Sequence, residues 1–375
     1  MLLVARKNLF SEKIRLGISV GGVALSVFLI GILLALFRGW SQQVGSYVER
    51  VPADGWLVSE GTTDFVAAAS VVPVSAESLL HSTPEVESVS PLIVRPMVMR
   101  REQDPFDKTF DVQLVGYDPT KRLGGPLAVE EGSKSPPGPD EIIVDKEMSK
   151  RHGIQIGDRL FRGGKSLTVV GISRGGDFVY TQVAFVTLET AIKFLDQPQD
   201  KRTFMLVTLK DPSKFDTLAV RVSAYTSDAQ LVRGADFANE TRDRILGNIL
   251  PILIVVLVVA FIVGISVAGL TIYTATVEKQ REYGILKAEG FTNPFLYRVV
   301  FEQSVVTGIL GFAVGAGMTV LVAPFAQDTV PQFVVFVRWQ DVVGIAGATL
   351  LMALFAAWIP VRRMASIDPV TVFKG

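Results

Sequence analysis

Four stretches of this chain run without a charged side chain for long enough to cross a bilayer: Leu16–Phe37, Ile245–Val277, Gln303–Gln327 and Val342–Val361. Roughly 30 Å of hydrocarbon takes about 20 helical residues, and inside lipid every backbone N–H and C=O must find a partner within its own segment, so each stretch is predicted to be a spanning helix. Basic residues precede the first run (Arg6, Lys7, Lys13 and Arg15). That run is too long for a signal peptide and no small-residue cleavage site follows it, so it reads as an uncleaved anchor.

Short flanks orient the spans. Segments 1–15, 278–298 and 362–375 together hold eleven Lys and Arg against five acids, whereas 38–244 holds 25 basic and 29 acidic residues. By the positive-inside rule the first set faces the cytoplasm and 38–244 is exported. The expected fold is an α-helical four-span bundle with a large α+β extracytoplasmic domain inserted between spans 1 and 2. Its parts are a cytoplasmic amphipathic lead-in helix (1–15), span 1 (16–37), the extracytoplasmic domain (38–244), span 2 with a stalk (245–277), a charged cytoplasmic helix (278–293), span 3 (294–327), an outer loop (328–341), span 4 (342–361) and a cytoplasmic tail (362–375). Both termini are then inside. Balanced charge, 37 basic against 37 acidic residues, gives no field that would draw nucleic acid, and the absence of cysteine excludes disulfides and thiolate metal sites.

In the domain, "VSPLIVRPMVMR" (Val89–Arg100) and "TFDVQLVGY" (Thr109–Tyr117) flank a polar "REQDPFDK", a hairpin pattern. "EIIVDKEMSKRHGIQIGDRL" predicts a strand, a short helix capped near Gly153 and a Gly-Asp turn into "SLTVVGIS". Further strands are expected at "VAFVTL" and "FMLVTLK", helices over Glu189–Leu195 and Ser213–Ala224, and a loop over Glu130–Asp140. No catalytic set emerges. His81 and His152 lack partners at metal-ligand spacing, and "RGGKS" (Arg162–Ser166) lacks the full phosphate-loop spacing and reads as a turn between strands.

The uncharged run before Glu278 is 33 residues, about 50 Å of helix, which exceeds the bilayer. A stalk from about Phe237 to Pro251 is therefore expected outside it. After the run comes "EKQREYGILKAEGFTNP", Glu278–Pro294, in which Glu278 with Arg281 and Lys279 with Glu282 stand at i,i+3. Gly290 supplies a left-handed C′ position, Phe291 its apolar follower, and Asn293-Pro294 an N-cap and N1 proline for span 3. Ile285, Leu286 and Phe291 are left exposed, either resting on the headgroups or forming a knob that docks on a partner. Glycine-rich faces, "GISVGG", "GISVAG" and "GILGFAVGAG", are open to two readings, close helix packing or ordinary span composition.

"EKQREYGILKAEGFTNPFLYRVVFEQSVVTGILGFAVG" resembles the FtsX/MacB/LolC-LolE-type ABC transporter permeases of the type VII, mechanotransmission superfamily, in which a segment like ERxREIGxLRAxGxS joins spans 2 and 3. Matching positions are Glu278, Arg281, Glu282, Gly284, Leu286, Lys287, Ala288 and Gly290, with Glu302 in the next helix. "RKNLFSEKIRLGISVGGVALSV" is similar to the family's lead-in and first span, "EIIVDKEMSKRHGIQIGDRLFRGGKSLTVVGIS" to its exported domain, and "IPVRRMASIDPVTVFKG" to its tail.

The resemblance implies a non-catalytic permease subunit in the bacterial inner membrane. It would work as a dimer of identical copies beside two copies of a separate ABC ATPase that binds ATP and Mg. Glu278, Arg281, Glu282, Gly284, Leu286, Lys287 and Gly290 would couple it to that ATPase. No attached ATPase domain matches, so the energy source is expected in trans, and this chain itself is expected to hold no cofactor. Family cargoes are lipids, lipoproteins, peptides, macrolides or haem, extruded or extracted with the help of a periplasmic adaptor in some members. Haem would need an axial ligand, and Met97, Met99, His81, Tyr47 and Glu49 are the residue types available, none assigned. The alternative within the same resemblance is a regulatory, FtsX-like permease that controls an extracellular partner such as a cell-wall hydrolase.

Overall fold

A computed structural model describes residues 13–66, 70–102, 108–121, 123–174, 182–329 and 336–365. Most of the expected lead-in helix, the hairpin tip at 103–107, the centre of the outer loop at 330–335 and the tail beyond 365 lie outside the described residues.

In chain order the elements are α1 (Lys13–Gln43), α2 (Ser46–Arg50), β1 (Gly55–Ser59), β2 (Val72–Pro73), α3 (Ser75–His81), β3 (Val86–Arg101), β4 (Thr109–Tyr117), β5 (Ala128–Gly132), β6 (Glu141–Asp145) and α4 (Lys146–His152). They continue as β7 (Arg159–Arg162), β8 (Lys165–Arg174), β9 (Gln182–Thr187), α5 (Leu188–Leu195), β10 (Lys201–Arg202), β11 (Phe204–Leu209), α6 (Phe215–Tyr225), β12 (Ala229–Arg233), α7 (Gly234–Glu278), α8 (Gln280–Ala288), α9 (Asn293–Thr329) and α10 (Trp339–Ala365). Two compact units result, one of residues 40–248 and one of 1–39 with 249–375, and the division falls within α1 and α7.

The unit 40–248 is built on a mixed sheet in the order β12-β1-β11-β3-β4-β9-β6-β8-β5, with β7 bridging β3 and β8. Alternation along β3 sets its two faces. Leu92 and Val94 point into a core with Tyr47, Trp56, Phe65, Phe185, Phe204 and Phe237. Ile93, Met97 and Met99 point the other way, into a core that includes Met148 of α4 and Ala191 and Phe194 of α5. Val89, on that second face, joins a third cluster with Leu80 of α3 and with Phe215, Leu218 and Val222 of α6. The β3–β4 hairpin pairs in register from Leu92↔Tyr117 to Arg100↔Thr109. β4 and β9 run parallel, as do β6 and β8.

Several expectations are revised. The Gly157-Asp158 turn leads first into β7, and the hairpin β7–β8 turns through Gly163 and Gly164, whose φ of 54° and 80° fit a left-handed two-residue turn. "RGGKS" is thus that turn, and its Lys165 is held by Asp196 at 2.5 Å. The expected loop over Glu130–Asp140 begins as strand, because β5 extends to Gly132 and pairs with β8. The expected stalk is not free over its first residues: α7 starts at Gly234, and Phe237 and Ala238 are fully buried in the aromatic core. Pro251 lies inside α7 without ending it.

Among the described residues four helices are long and apolar enough to cross a membrane: Lys13–Gln43, Gly234–Glu278, Asn293–Phe325 and Trp339–Arg362. They meet through small residues. A Cβ on Gly22 would lie 2.2 Å from Val267, and one on Gly315 would lie 2.5 Å from the backbone oxygen of Ala24. Ser304 Oγ donates to the carbonyl of Ala353 across α9 and α10 at 2.5 Å. Of the two readings of the glycine faces, close packing holds for Gly22, Gly264, Gly311 and Gly315, whereas Gly17, Gly21 and Gly317 face open space.

Candidate functional site: the charged turn between spans 2 and 3

The helix bonding pattern survives the sequence's first charges. Lys279, with φ −90° and ψ 13°, separates α7 from α8, yet its N–H still donates to Ala275 and its carbonyl still accepts from Tyr283. The bend has a consequence for charge pairing. Glu278 takes Arg15, at the start of span 1, at 2.5 Å, in place of the Arg281 partner that i,i+3 spacing suggests. A small cavity of about 40 Å³ sits beside this pair, lined among others by Arg15, Ser19, Lys279, Tyr283, Gln303 and Thr307.

α8 has two distinct faces. Tyr283 and Gly284 are buried, and Leu286 and Lys287 are half-buried. Tyr283 and Leu286 pack with Ile272, Leu296, Val300 and Ala357. Arg281, Glu282, Ile285, Ala288 and Glu289 are exposed, a spacing of i, i+1, i+4, i+7 and i+8 that makes one stripe of a helix. Leu286 was expected outside and is not, because its side chain follows Tyr283 onto the span cluster. Gly284 belongs to the same inner face. Ile285 and Phe291, each 41% exposed, remain as apolar points on the surface.

The end of α8 is closed as the glycine predicts. Gly290 has φ +96°, its N–H donates to Lys287 O, and the N–H of Phe291 donates to Leu286 O at 3.0 Å, the paired bonds of a Schellman stop. Phe291 then packs against Phe295, the two rings tilted with centroids 4.7 Å apart. α9 begins at Asn293, so Thr292 rather than Asn293 occupies the cap: its carbonyl accepts from Phe295 and Leu296. Pro294 still falls in the first turn, where its missing N–H is harmless. Glu302 is held by Arg298 at 3.2 Å.

The predicted site residues therefore divide. Glu278, Arg281, Glu282 and Gly290 are exposed, Leu286 and Lys287 are half-covered, and Gly284 is inside. Arg15, Tyr283 and Gln303 were missed. The basic end of one span and the acidic end of another offered a signal for the Arg15–Glu278 pair, but charge alone does not choose among partners at several span ends.

In the other unit the residue types weighed for haem are otherwise engaged. Met97 and Met99 are core residues, Tyr47 donates its hydroxyl to Gly124 O at 2.5 Å, Glu49 pairs with Arg242, and His81 lies 3.8 Å from Glu77. Burial pushes the Tyr47 phenol well above its ordinary value. His152 stacks on Phe110 and meets Gln182 at 3.0 Å, and burial lowers its pKa.

Two family models match the chain, the MacB-like periplasmic core domain over residues 16–225 and the FtsX-like permease C-terminal region over 254–369. Among curated relatives, an uncharacterized ABC transporter permease of Mycobacterium tuberculosis (strain ATCC 25618 / H37Rv) is 23% identical over 100% of both chains. The lipoprotein-releasing system transmembrane protein LolC of Haemophilus influenzae is 21% identical over 94% of this chain and 91% of its own. Among solved structures, the periplasmic region of MacB from Actinobacillus actinomycetemcomitans matches 50% of this chain and 92% of its own, with 11% identity and a TM-score of 0.39.

Proposed function

The chain belongs to the FtsX/MacB/LolC type of ABC transporter permease, and from that premise we propose that α8 is the coupling helix through which a separate ATPase drives it. The observation that carries this reading is the two-faced α8: one side locked to the spans by Tyr283 and Leu286, the other offering Arg281, Glu282 and Ile285 together. A short amphipathic helix fixed from behind transmits a push instead of swivelling, and an apolar point flanked by both charges suits a groove in a protein partner.

Two ATPase copies, bound in trans with their ATP and Mg, would act on two copies of this permease in the bacterial inner membrane, with both termini cytoplasmic. Motion of α8 would enter α7, whose 45 residues make a rod about 68 Å long at 1.5 Å per residue. Phe237, near its far end, is rooted in the aromatic core of the unit 40–248. The rod would thus work by mechanotransmission on an extracytoplasmic domain that handles an amphipathic or hydrophobic cargo, a lipid, lipoprotein, peptide, macrolide or haem. Two arrangements of a stiff element, biased by nucleotide, are what such a mechanism requires.

The test is a pair of variants on the exposed stripe, Glu282→Lys and Ile285→Asp, in the full complex reconstituted in vesicles. Each is expected to lower permease-stimulated ATP hydrolysis about tenfold or more, the scale of one lost interfacial contact, while expression and span assembly persist. Wild-type stimulation in both would remove α8 from the coupling role. Purification with the native partners separates cargo transport from control of an extracellular enzyme by what accompanies the chain.

A further inference from the structure

Four arginines in the described residues carry a buried guanidinium nitrogen with no hydrogen-bond partner: Arg15, Arg95, Arg101 and Arg202. Three have other bonds. Arg15 meets Glu278, Arg101 meets Asp158 and the carbonyl of Gly153, and Arg202 gives Nη1 to the carbonyls of Gln199 and Lys201 at 2.9 Å each. Arg95 stands apart, with a buried Nε and no hydrogen bond or ion pair among the described residues. A guanidinium stays protonated at any physiological pH, so partial burial without a counter-charge carries a desolvation cost that the fold does not recover.

Arg95 lines a pocket of about 190 Å³ with Val71, Ile93, Lys201, Arg202 and Thr203, and among the described residues no acidic side chain lines it. The volume is several times the ~30 Å³ share of one liquid water. Its frame is rigid. Thr203 Oγ1 accepts from the N–H of Val94 at 3.0 Å, and the N–H of Thr203 donates to Leu92 O at 2.9 Å, which fixes β3 on both sides of Ile93 and just before Arg95. Ile93, 2% exposed, supplies an apolar wall, so charges gathered there act through a lower dielectric than at an open surface. Three cationic side chains thus line one small cavity.

We infer that this pocket is a receptor for a phosphate-class oxyanion, free or as the head of a phosphate ester or phospholipid. Arg95 and Arg202 donate to its oxygens and Lys201 adds charge. A tetrahedral dianion matches cations from different elements better than a planar monoanion does, and forked guanidinium donors suit oxyanions in particular. Nothing in the coupling role of α8 requires this site.

The test uses the full chain in detergent, titrated by calorimetry with inorganic phosphate, with acetate at matched ionic strength, and with dihexanoyl phosphatidic acid, a phosphomonoester, below its micellar concentration. Phosphate is expected to bind, Arg95→Met and Arg202→Gln to weaken it at least tenfold, and the exposed control Arg162→Gln to leave it unchanged. Arg95→Met should also keep or raise the thermal midpoint without phosphate, because it removes an unpaired, partly buried charge. That result separates a lost ligand from a lost fold. Tighter binding of the short lipid than of phosphate assigns the headgroup as the source, and the reverse order assigns a soluble phosphate. A flat titration at millimolar phosphate, equal binding by Arg95→Met, or acetate binding as tightly as phosphate would overturn the assignment.

Discussion

The two units of this chain solve the packing problem in opposite ways. In the unit 40–248 the centre is aromatic: Trp56 has Phe65, Phe204 and Phe237 within 5.6–5.8 Å between ring centroids, and all four are fully buried. In the span unit the closest approaches are made at glycine, alanine, serine and threonine, with only small apolar clusters such as Val23, Val27, Ala268 and Ala356 between helices, while large side chains such as Ile252, Leu270 and Phe325 point outward. Water explains the first pattern, since burying apolar area there yields about 25 cal/mol per Å². Lipid explains the second. Apolar side chains gain little by leaving hydrocarbon, so close approach and an occasional hydrogen bond, such as Ser304 to Ala353, hold helices together. α7 is the extreme case, with 11% of its most apolar window buried against 28–39% in the other three spans, which leaves a broad face for lipid or a second copy.

If that contrast is right, the same substitution should have unequal effects in the two units. Trp56→Ala removes the centre of the aromatic cluster and is expected to cost about 3–5 kcal/mol. Trp358→Ala, at a tryptophan 56% exposed on α10, should cost less than about 1 kcal/mol. Thermal melting of the full chain in detergent, followed by circular dichroism, checks both, and equal losses would break the comparison. Within the span unit, the space beside each glycine sets the ranking. Gly315→Val drives its side chain toward the Ala24 carbonyl and should destabilise span packing by about 1–3 kcal/mol, whereas Gly317→Ala, with nothing near its Cβ, should be neutral or gain up to about 1 kcal/mol of helix propensity. Detergent-resistance assays of the purified chain resolve the pair.

The smallest expected effect is on pH. Burial lowers the pKa of His152 in the folded state, so the unfolded chain binds the proton more readily. Stability contributed by the neutral ring is complete above the ordinary value near 6.5 and is lost as pH falls below it. Melting of the wild type should therefore drop slightly more between pH 7.5 and 5.5 than melting of His152→Leu. An identical slope would show that the ring on Phe110 is solvated well enough to titrate freely.

Legibility differed between the units for related reasons. Spans, the β3–β4 hairpin and the Gly290 stop are written in residues close together in sequence: an uncharged run, an alternation, a glycine before Phe291. β1, β2, β12 and the short helices α2 and α3 passed unnoticed because they are brief and receive their order from strands far along the chain. α8 was visible as a charged helix, yet which side it shows depended on Leu296, Val300 and Ala357, and so Leu286 was expected on the exposed side although it packs with that cluster.

By itself the sequence determined the class of solvent each segment meets, because hydropathy and charge act residue by residue over a window no longer than one helix or strand. Tertiary structure alone decided the partners. Glu278 is 263 residues from Arg15, β4 lies parallel to a strand that starts at Gln182, and Arg95 meets Lys201 and Arg202 across a pocket. Such choices are settled by competition among all the groups that folding brings within a few ångströms, and a linear pattern holds no record of which groups those are.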